Sequence, residues 1–158
     1  MPISDSASLS VRAATLADVA VTAPLLDAYR QFYEQPADLA LATRFLTQRL
    51  ARGESVVLLA EHAAQGVVGF CQLYPSFCTV QAAPIYTLYD LFVVSSARKL
   101  GVGTALLQAA EALGRREGRA RLDLTTAKTN ATAQALYAAQ GWVRDEVFWT
   151  YNRNLDLA

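Results

Sequence analysis

Histidine is almost missing from this chain: His62 is the only one. It falls in a predicted hairpin loop, which leaves a histidine-based triad or a histidine metal site without support, so no role is assigned to it. Cysteine is nearly as scarce. Cys71 and Cys78 lie in or beside an apolar strand, without the paired spacing of metal sites or disulfide frameworks, and read as buried, reduced thiols with no metal bound. Net charge is missing too: 14 basic residues balance 14 acidic ones, so no overall field draws the chain to nucleic acid or an anionic membrane. No apolar run approaches the ~20 residues of a membrane-spanning helix. The opening Met1-Pro2-Ile3-Ser4-Asp5-Ser6 carries no basic cluster followed by an apolar stretch, so a soluble, unexported, cytoplasmic protein is expected. Repeats and linkers are absent as well. One domain over 1–158, with its core at about 9–153, is expected.

What remains is apolar. Hydrophobic residues make up 53% of 158, enough to bury a sizeable core. Leu9 to Ala13 alternates as a strand, and Asp18 is expected to cap an apolar-periodic helix running towards Tyr33. A second helix is expected over about Ala37 to Arg52. Ser55 to Glu61 and Val67 to Tyr74 are β-rich runs joined by a hairpin-length connection through Gly66. Further strands are predicted at Ile85 to Val94, Ala120 to Thr126 and Trp142 to Tyr151, with helices at Gly101 to Glu117 and Ala131 to Ala139. Hairpins followed by a strand–helix–strand crossover define an α/β chain with a mixed sheet and helices on its faces. Ligands of such sheets gather at the carboxyl ends of parallel strands, so chemistry is expected after Val94.

There the chain reads Ser95-Ser96-Ala97-Arg98-Lys99-Leu100-Gly101-Val102-Gly103-Thr104, a basic turn that enters a helix. Unpaired N–H groups at a helix start, backed by the positive end of its dipole, suit phosphate oxygens. Gly101 and Gly103, lacking Cβ, are expected to let those oxygens approach the backbone. Two glycines before a helix also arise by chance, and Arg98-Lys99 reads equally as a solvated pair. The turn is neither a Walker loop nor a dinucleotide fingerprint, since it lacks Gly-Lys-Ser/Thr after four spacers and a third glycine.

Arg98-x-x-Gly101-x-Gly103 between an apolar strand and an amphipathic helix resembles the pyrophosphate motif of the GNAT superfamily of N-acetyltransferases. Asn130-x-x-Ala133-x-x-Leu136-Tyr137-x-x-x-Gly141-Trp142 resembles that superfamily's second hallmark, in the same order and at the usual separation. Phe32-Tyr33-Glu34 and Leu88-x-Asp90-Leu91-Phe92-Val93 look similar to its polyamine and histone acetyltransferase branch. The resemblance implies a mostly antiparallel sheet with two splayed parallel strands that admit the pantetheine arm of acetyl-CoA. It further implies that the backbone of Leu91, Phe92 and Val93 pairs with that arm. The amides of Arg98, Lys99, Leu100, Gly101, Val102, Gly103 and Thr104 would take the pyrophosphate, and Asn130 would hold the pantetheine.

The implied reaction is acetyl transfer from acetyl-CoA to a primary amine of a small molecule, polyamine-like or lysine-like, by direct attack. A thiol of pKa ~8.5 can be protonated as it leaves by a nearby phenol of pKa ~10, and Tyr137 is the candidate acid. Packed beside Leu136, it also reads as a core residue. Backbone N–H groups near Phe92 and Val93 would stabilise an oxyanion if that strand carries a bulge. An amine of pKa ~10.4 must lose a proton first, and Asp90 and Glu34 are the nearest carboxylates. Asp90 reads equally as a structural or ammonium-binding carboxylate, because polyamine-acetylating relatives carry a glutamate where Tyr89 stands. Tyr89 is expected to line the acceptor pocket, and Phe32, Tyr33, Tyr74 and Tyr86 to form an aromatic wall or plain core. A protein or peptide amine as acceptor, or a non-catalytic acetyl-CoA sensor, are the alternatives. The aromatic end at Phe148-Trp149-Thr150-Tyr151 is expected either to join a homodimer interface or to close the monomer's own core.

Overall fold

A computed structural model of the chain describes residues 8–157. Five strands, β1 (Leu9–Ala13), β2 (Val56–His62), β3 (Gly66–Cys78), β4 (Ala83–Val93) and β5 (Leu122–Asp123), form one sheet in that order. Neighbours run antiparallel except β4 and β5, which are parallel. Helices α1 (Val19–Phe32) and α2 (Leu39–Ala51) precede β2, α3 (Val102–Arg116) crosses from β4 to β5, and α4 (Ala131–Ala139) follows β5. The mixed, mostly antiparallel sheet with helices on both faces is the expected fold class.

Strand alternation explains the two-sided core. Along β2, Val57 and Leu59 point to a cluster with Ala23, Leu26 and Leu46 of α1 and α2, while Leu58 and Ala60 point to one with Leu106 and Leu107 of α3. The sheet is therefore buried on both faces, which accounts for the continuous apolar runs in β2 and β3.

β4 meets the same two-sided demand with an extra residue. Gln72 of β3 stands opposite Asp90, but Leu73 stands opposite Leu88, so Tyr89 bulges out of the ladder. A one-residue shift inverts the faces of a strand. The bulge thus lets Tyr86 and Leu88 share the α3 side with Leu91 and Val93, despite the change from even to odd positions. Asp90 and Phe92 turn to the α1 and α2 side with Gln72 and Phe70. The strand carries a bulge, the condition set for an oxyanion site near Phe92 and Val93, and it lies at Tyr89.

β4 pairs with β5 only at Tyr86 with Leu122 and at Thr87 with Asp123. Beyond Thr87 the two strands part, leaving the β5-facing edge of β4 without a strand partner up to Val93. The strand expected over Ala120 to Thr126 is cut to two residues.

The closing strand expected over Trp142 to Tyr151 does not form. A strand needs a ladder, and the bonds recorded along this stretch are local: Val147 and Phe148 N–H donate to the Asp145 carboxylate, and Arg144 pairs with Glu146. Trp142 is half-buried against the α3 core, while Phe148, Trp149 and Tyr151 are more than three-quarters exposed. Cys71 is buried, which pushes its thiol up to about 12, whereas Cys78, expected buried, is only half so and lies 3.9 Å from Arg121 Nη1.

Gly69 of β3 is where backbone approach demands glycine. A Cβ there would stand 2.8 Å from the Phe92 carbonyl oxygen and 3.0 Å from a Val102 methyl. Gly69→Ala is expected to destabilise the fold by about 2 kcal/mol through overpacking, lowering Tm by several degrees in a thermal melt. An unchanged Tm would mean that β4 and α3 shift freely at this point.

Candidate active site

The turn after β4 is built for a bare backbone. A 3-10 turn at Ser95–Ala97 ends on extended Arg98, and Lys99 takes φ 68° and Gly101 φ 78°, both left-handed. Gly101 then serves as N-cap of α3, and no side chain caps the first turn of that helix. Its leading N–H groups keep their capacity for an outside acceptor, and the helix dipole adds to it. A Cβ on Gly101 would meet nothing within 4 Å, so the backbone is open there. Gly103 is different. Its Cβ would fall 2.9 Å from Leu136 Cδ2, so this glycine serves the close packing of α3 on α4 rather than the approach of a ligand. Arg98 and Lys99 are exposed, as is Leu100, while Val102 is buried in the α3 core.

α4 carries the second motif. Asn130 is its N-cap, with Oδ1 accepting from Ala133 N–H at 3.2 Å, so only the amide NH₂ of Asn130 is left for another partner. Tyr137 is half-buried, its ring 6.2 Å from that of Trp142. Burial pushes its phenol above the usual range, and Tyr33 adds to the effect, so the end of α1 bears on the same place as α4.

On the α1 and α2 side, Asp90 lies at the floor of a cavity of about 270 Å³ between those helices and β3 and β4. Asp90 is 7% exposed, and burial raises its pKa above the ordinary carboxylate range, against hydrogen bonding from Gln72 and Tyr29. Gln72 Nε2 donates to Asp90 Oδ2 at 2.8 Å. Tyr29 leans its phenol towards Asp90 and donates to the Tyr89 carbonyl at 3.4 Å. Tyr89 and Tyr74, with rings 5.5 Å apart, both line this cavity.

Several sequence candidates lie elsewhere. Tyr86 is buried on the opposite sheet face, its hydroxyl bonded to Glu117 and its ring beneath Arg119, so it takes no part in the aromatic wall. Phe32 and Tyr33 are exposed at the end of α1, Tyr33 edge-on to Tyr29 at 5.1 Å, and neither lines the cavity. Glu34, at φ 63°, is exposed just after α1 and does not line it either. His62 bonds Ser8 Oγ, next to β1, and accepts the Ala64 N–H within the β2–β3 connection. Tyr29, Arg30, Phe45 and Gln72 are cavity residues that sequence reasoning missed. Only Gln72 left a signal, as the polar interruption of Phe70-Cys71-Gln72-Leu73. Among the described residues no group of three His, Cys, Asp or Glu could hold a metal, and no helix is long and apolar enough to cross a membrane.

The sheet thus splits beside an uncapped helix start, with a buried carboxylate on the splitting strand. The chain belongs to the acetyltransferase (GNAT) family, whose model matches residues 22–142. It is 42% identical over 147 residues to the uncharacterized N-acetyltransferase YhfO of Bacillus subtilis (strain 168), covering 93% of this chain and 98% of that protein. A crystal structure of a probable acetyltransferase superimposes with a TM-score of 0.88 at 33% identity, covering 94% of this chain and 99% of the other. An aminoglycoside acetyltransferase from an uncultured soil metagenomic sample, in complex with trehalose, shares the fold with a TM-score of 0.82 at 17% identity, covering 96% of this chain and 99% of that one.

Proposed function

We propose that this acetyltransferase moves the acetyl group of acetyl-CoA to a primary amine of a small molecule, polyamine-like or lysine-like, by direct attack. The observation that carries the reading is the buried Asp90 carboxylate at the floor of a cavity on β4, the strand whose other edge is free beside β5. The chain's own groups suit the donor. The free edge at Leu91, Phe92 and Val93 offers backbone partners to a pantetheine arm, and the open, uncapped turn from Arg98 to Thr104 offers amides to a pyrophosphate. Asn130 adds its amide NH₂. Bound there, acetyl-CoA supplies an acetyl group activated as a thioester.

Asp90 takes a proton from the acceptor ammonium, a role its raised pKa favours, because a more basic carboxylate is a better proton acceptor. The freed nitrogen forms the C–N bond as the C–S bond breaks. Of the two protons that the nitrogen gives up, Asp90 takes the first and passes it to solvent, while Tyr137 protonates the departing sulfur and is restored by the second, lost from the tetrahedral nitrogen. Calorimetric titration with acetyl-CoA, followed by thiol-release assays with amines, tests the whole reading. Saturable binding with amine-dependent release is expected. Binding without release from any amine would favour a sensor instead.

We also infer a homodimer of this enzyme, acting in the cytoplasm. Val147, Phe148, Trp149 and Tyr151 lie on one exposed segment, an apolar surface that a second copy would cover. Sedimentation velocity is expected to give a dimer that Trp149→Asp dissociates, and a monomeric parent would refute it.

A further inference from the structure

Two acceptors stand at the floor of the Asp90 cavity, one with spare capacity beyond the bond from Gln72 Nε2 and one unpaired. One is the Asp90 carboxylate, and the other is Gln72 Oε1, which is buried without a hydrogen-bond partner although Gln72 is only 1% exposed. Buried polar atoms are seldom left unpaired, so this pair describes its missing complement: a group with several N–H donors and a positive charge. A primary ammonium has three such donors. The walls above that floor, Leu26, Tyr29, Leu41, Phe45 and Tyr74, are apolar or aromatic.

The charged groups of the walls are already matched. Arg30 lines the cavity and pairs with Asp27 at 3.2 Å. Asp27 also accepts from Gln31 Nε2 and from the Asp38 N–H. Arg49 stands 4.7 Å from the Phe45 ring centroid and pairs with Glu54 at 2.6 Å. A second ammonium entering this space would find no unengaged carboxylate and two guanidinium groups nearby, in a setting where desolvating a charge is costly.

We propose that this cavity selects a primary amine carrying one positive charge on an apolar alkyl or aryl body, and discriminates against amines with a second ammonium at the far end. The proposal rests on the reading of Asp90 as the acceptor site, and departs from it in one respect: the polyamine-like acceptor gives way to a primary amine with no second ammonium.

Hexylamine and 1,6-diaminohexane differ in the far-end ammonium alone and make a matched pair. With the full chain, hexylamine is expected to bind in calorimetry, and to show kcat/KM with saturating acetyl-CoA, better than the diamine by about tenfold or more. Arg30→Gln removes the guanidinium that lines the cavity and is expected to narrow that gap. Leu41→Glu, which adds a carboxylate to the wall, should do the same if the first variant folds poorly. Equal or better performance of the diamine overturns the proposal. So does release of thiol by an aminoglycoside or a basic peptide when hexylamine neither binds nor reacts, an outcome that leaves the acetyltransferase reading standing. If no amine releases thiol, that reading falls, and the binding comparison still decides the selectivity of the cavity.

Discussion

Tyr137→Phe is expected to cut kcat by about 10²- to 10⁴-fold while leaving acetyl-CoA affinity within about twofold. Only the hydroxyl is lost, so packing against Trp142 and the α3 core persists, and a stable, binding-competent protein that no longer turns over would isolate the proton. The pH profile adds a second check. Because burial and Tyr33 raise the phenol's pKa, the acid form persists beyond the ordinary value of ~10, and Tyr137 ionisation should not depress the parent's rate at pH 8–9. Equal rates for variant and parent would remove Tyr137 from the chemistry and return it to the core.

Asp90→Asn is expected to lower kcat/KM by about 10²-fold or more and yet to raise stability at neutral pH. The sign follows from the raised pKa. A carboxyl that is harder to ionise when folded stabilises the fold below its unfolded pKa of ~3.9, and that contribution is lost as pH rises through the folded value. Asparagine carries no charge to desolvate, and its NH₂ can donate to the orphaned Gln72 Oε1, a hydrogen bond worth about 1 kcal/mol. A Tm gain of about 2–4 °C at pH 7.5, shrinking towards pH 4, is therefore expected in melts of both proteins. A Tm loss at neutral pH would show instead that Asp90 holds the fold together.

The sequence announced those features whose causes are local. Helices α3 and α4 were legible because Gly101 and Asn130 mark their starts and apolar periodicity fills them. The cap logic failed once: Asp18 stands before α1, yet its carboxylate serves Thr15 N–H and Arg12 in the preceding turn. The two glycines of the turn looked alike in sequence, but only pairing with α4 reveals that Gly103 answers to Leu136, some thirty positions on. Register was equally hidden. The apolar positions of β4 change phase between Leu88 and Leu91, which is the trace of the bulge, but only β3 places the extra residue at Tyr89. The cavity needed four elements at once. Asp90 and Tyr89 were visible as candidates, whereas Tyr29 and Phe45 read as ordinary helix residues until α1 and α2 met the sheet. The failed closing strand has the same cause: alternation in Trp142 to Tyr151 describes a segment able to pair, and pairing also requires an edge.

The extra residue in β4 lies within a strand without belonging to its ladder. The ladder pairs Gln72 with Asp90 and Leu73 with Leu88, so removing the extra residue would leave both faces of β4 as they are, and the core does not require it. Its side chain is 64% exposed and lies outside the ladder, so its identity is free. A position that the core leaves free, set on the lip of the Asp90 cavity, is one where drift can reshape that cavity without first undoing how the chain folds.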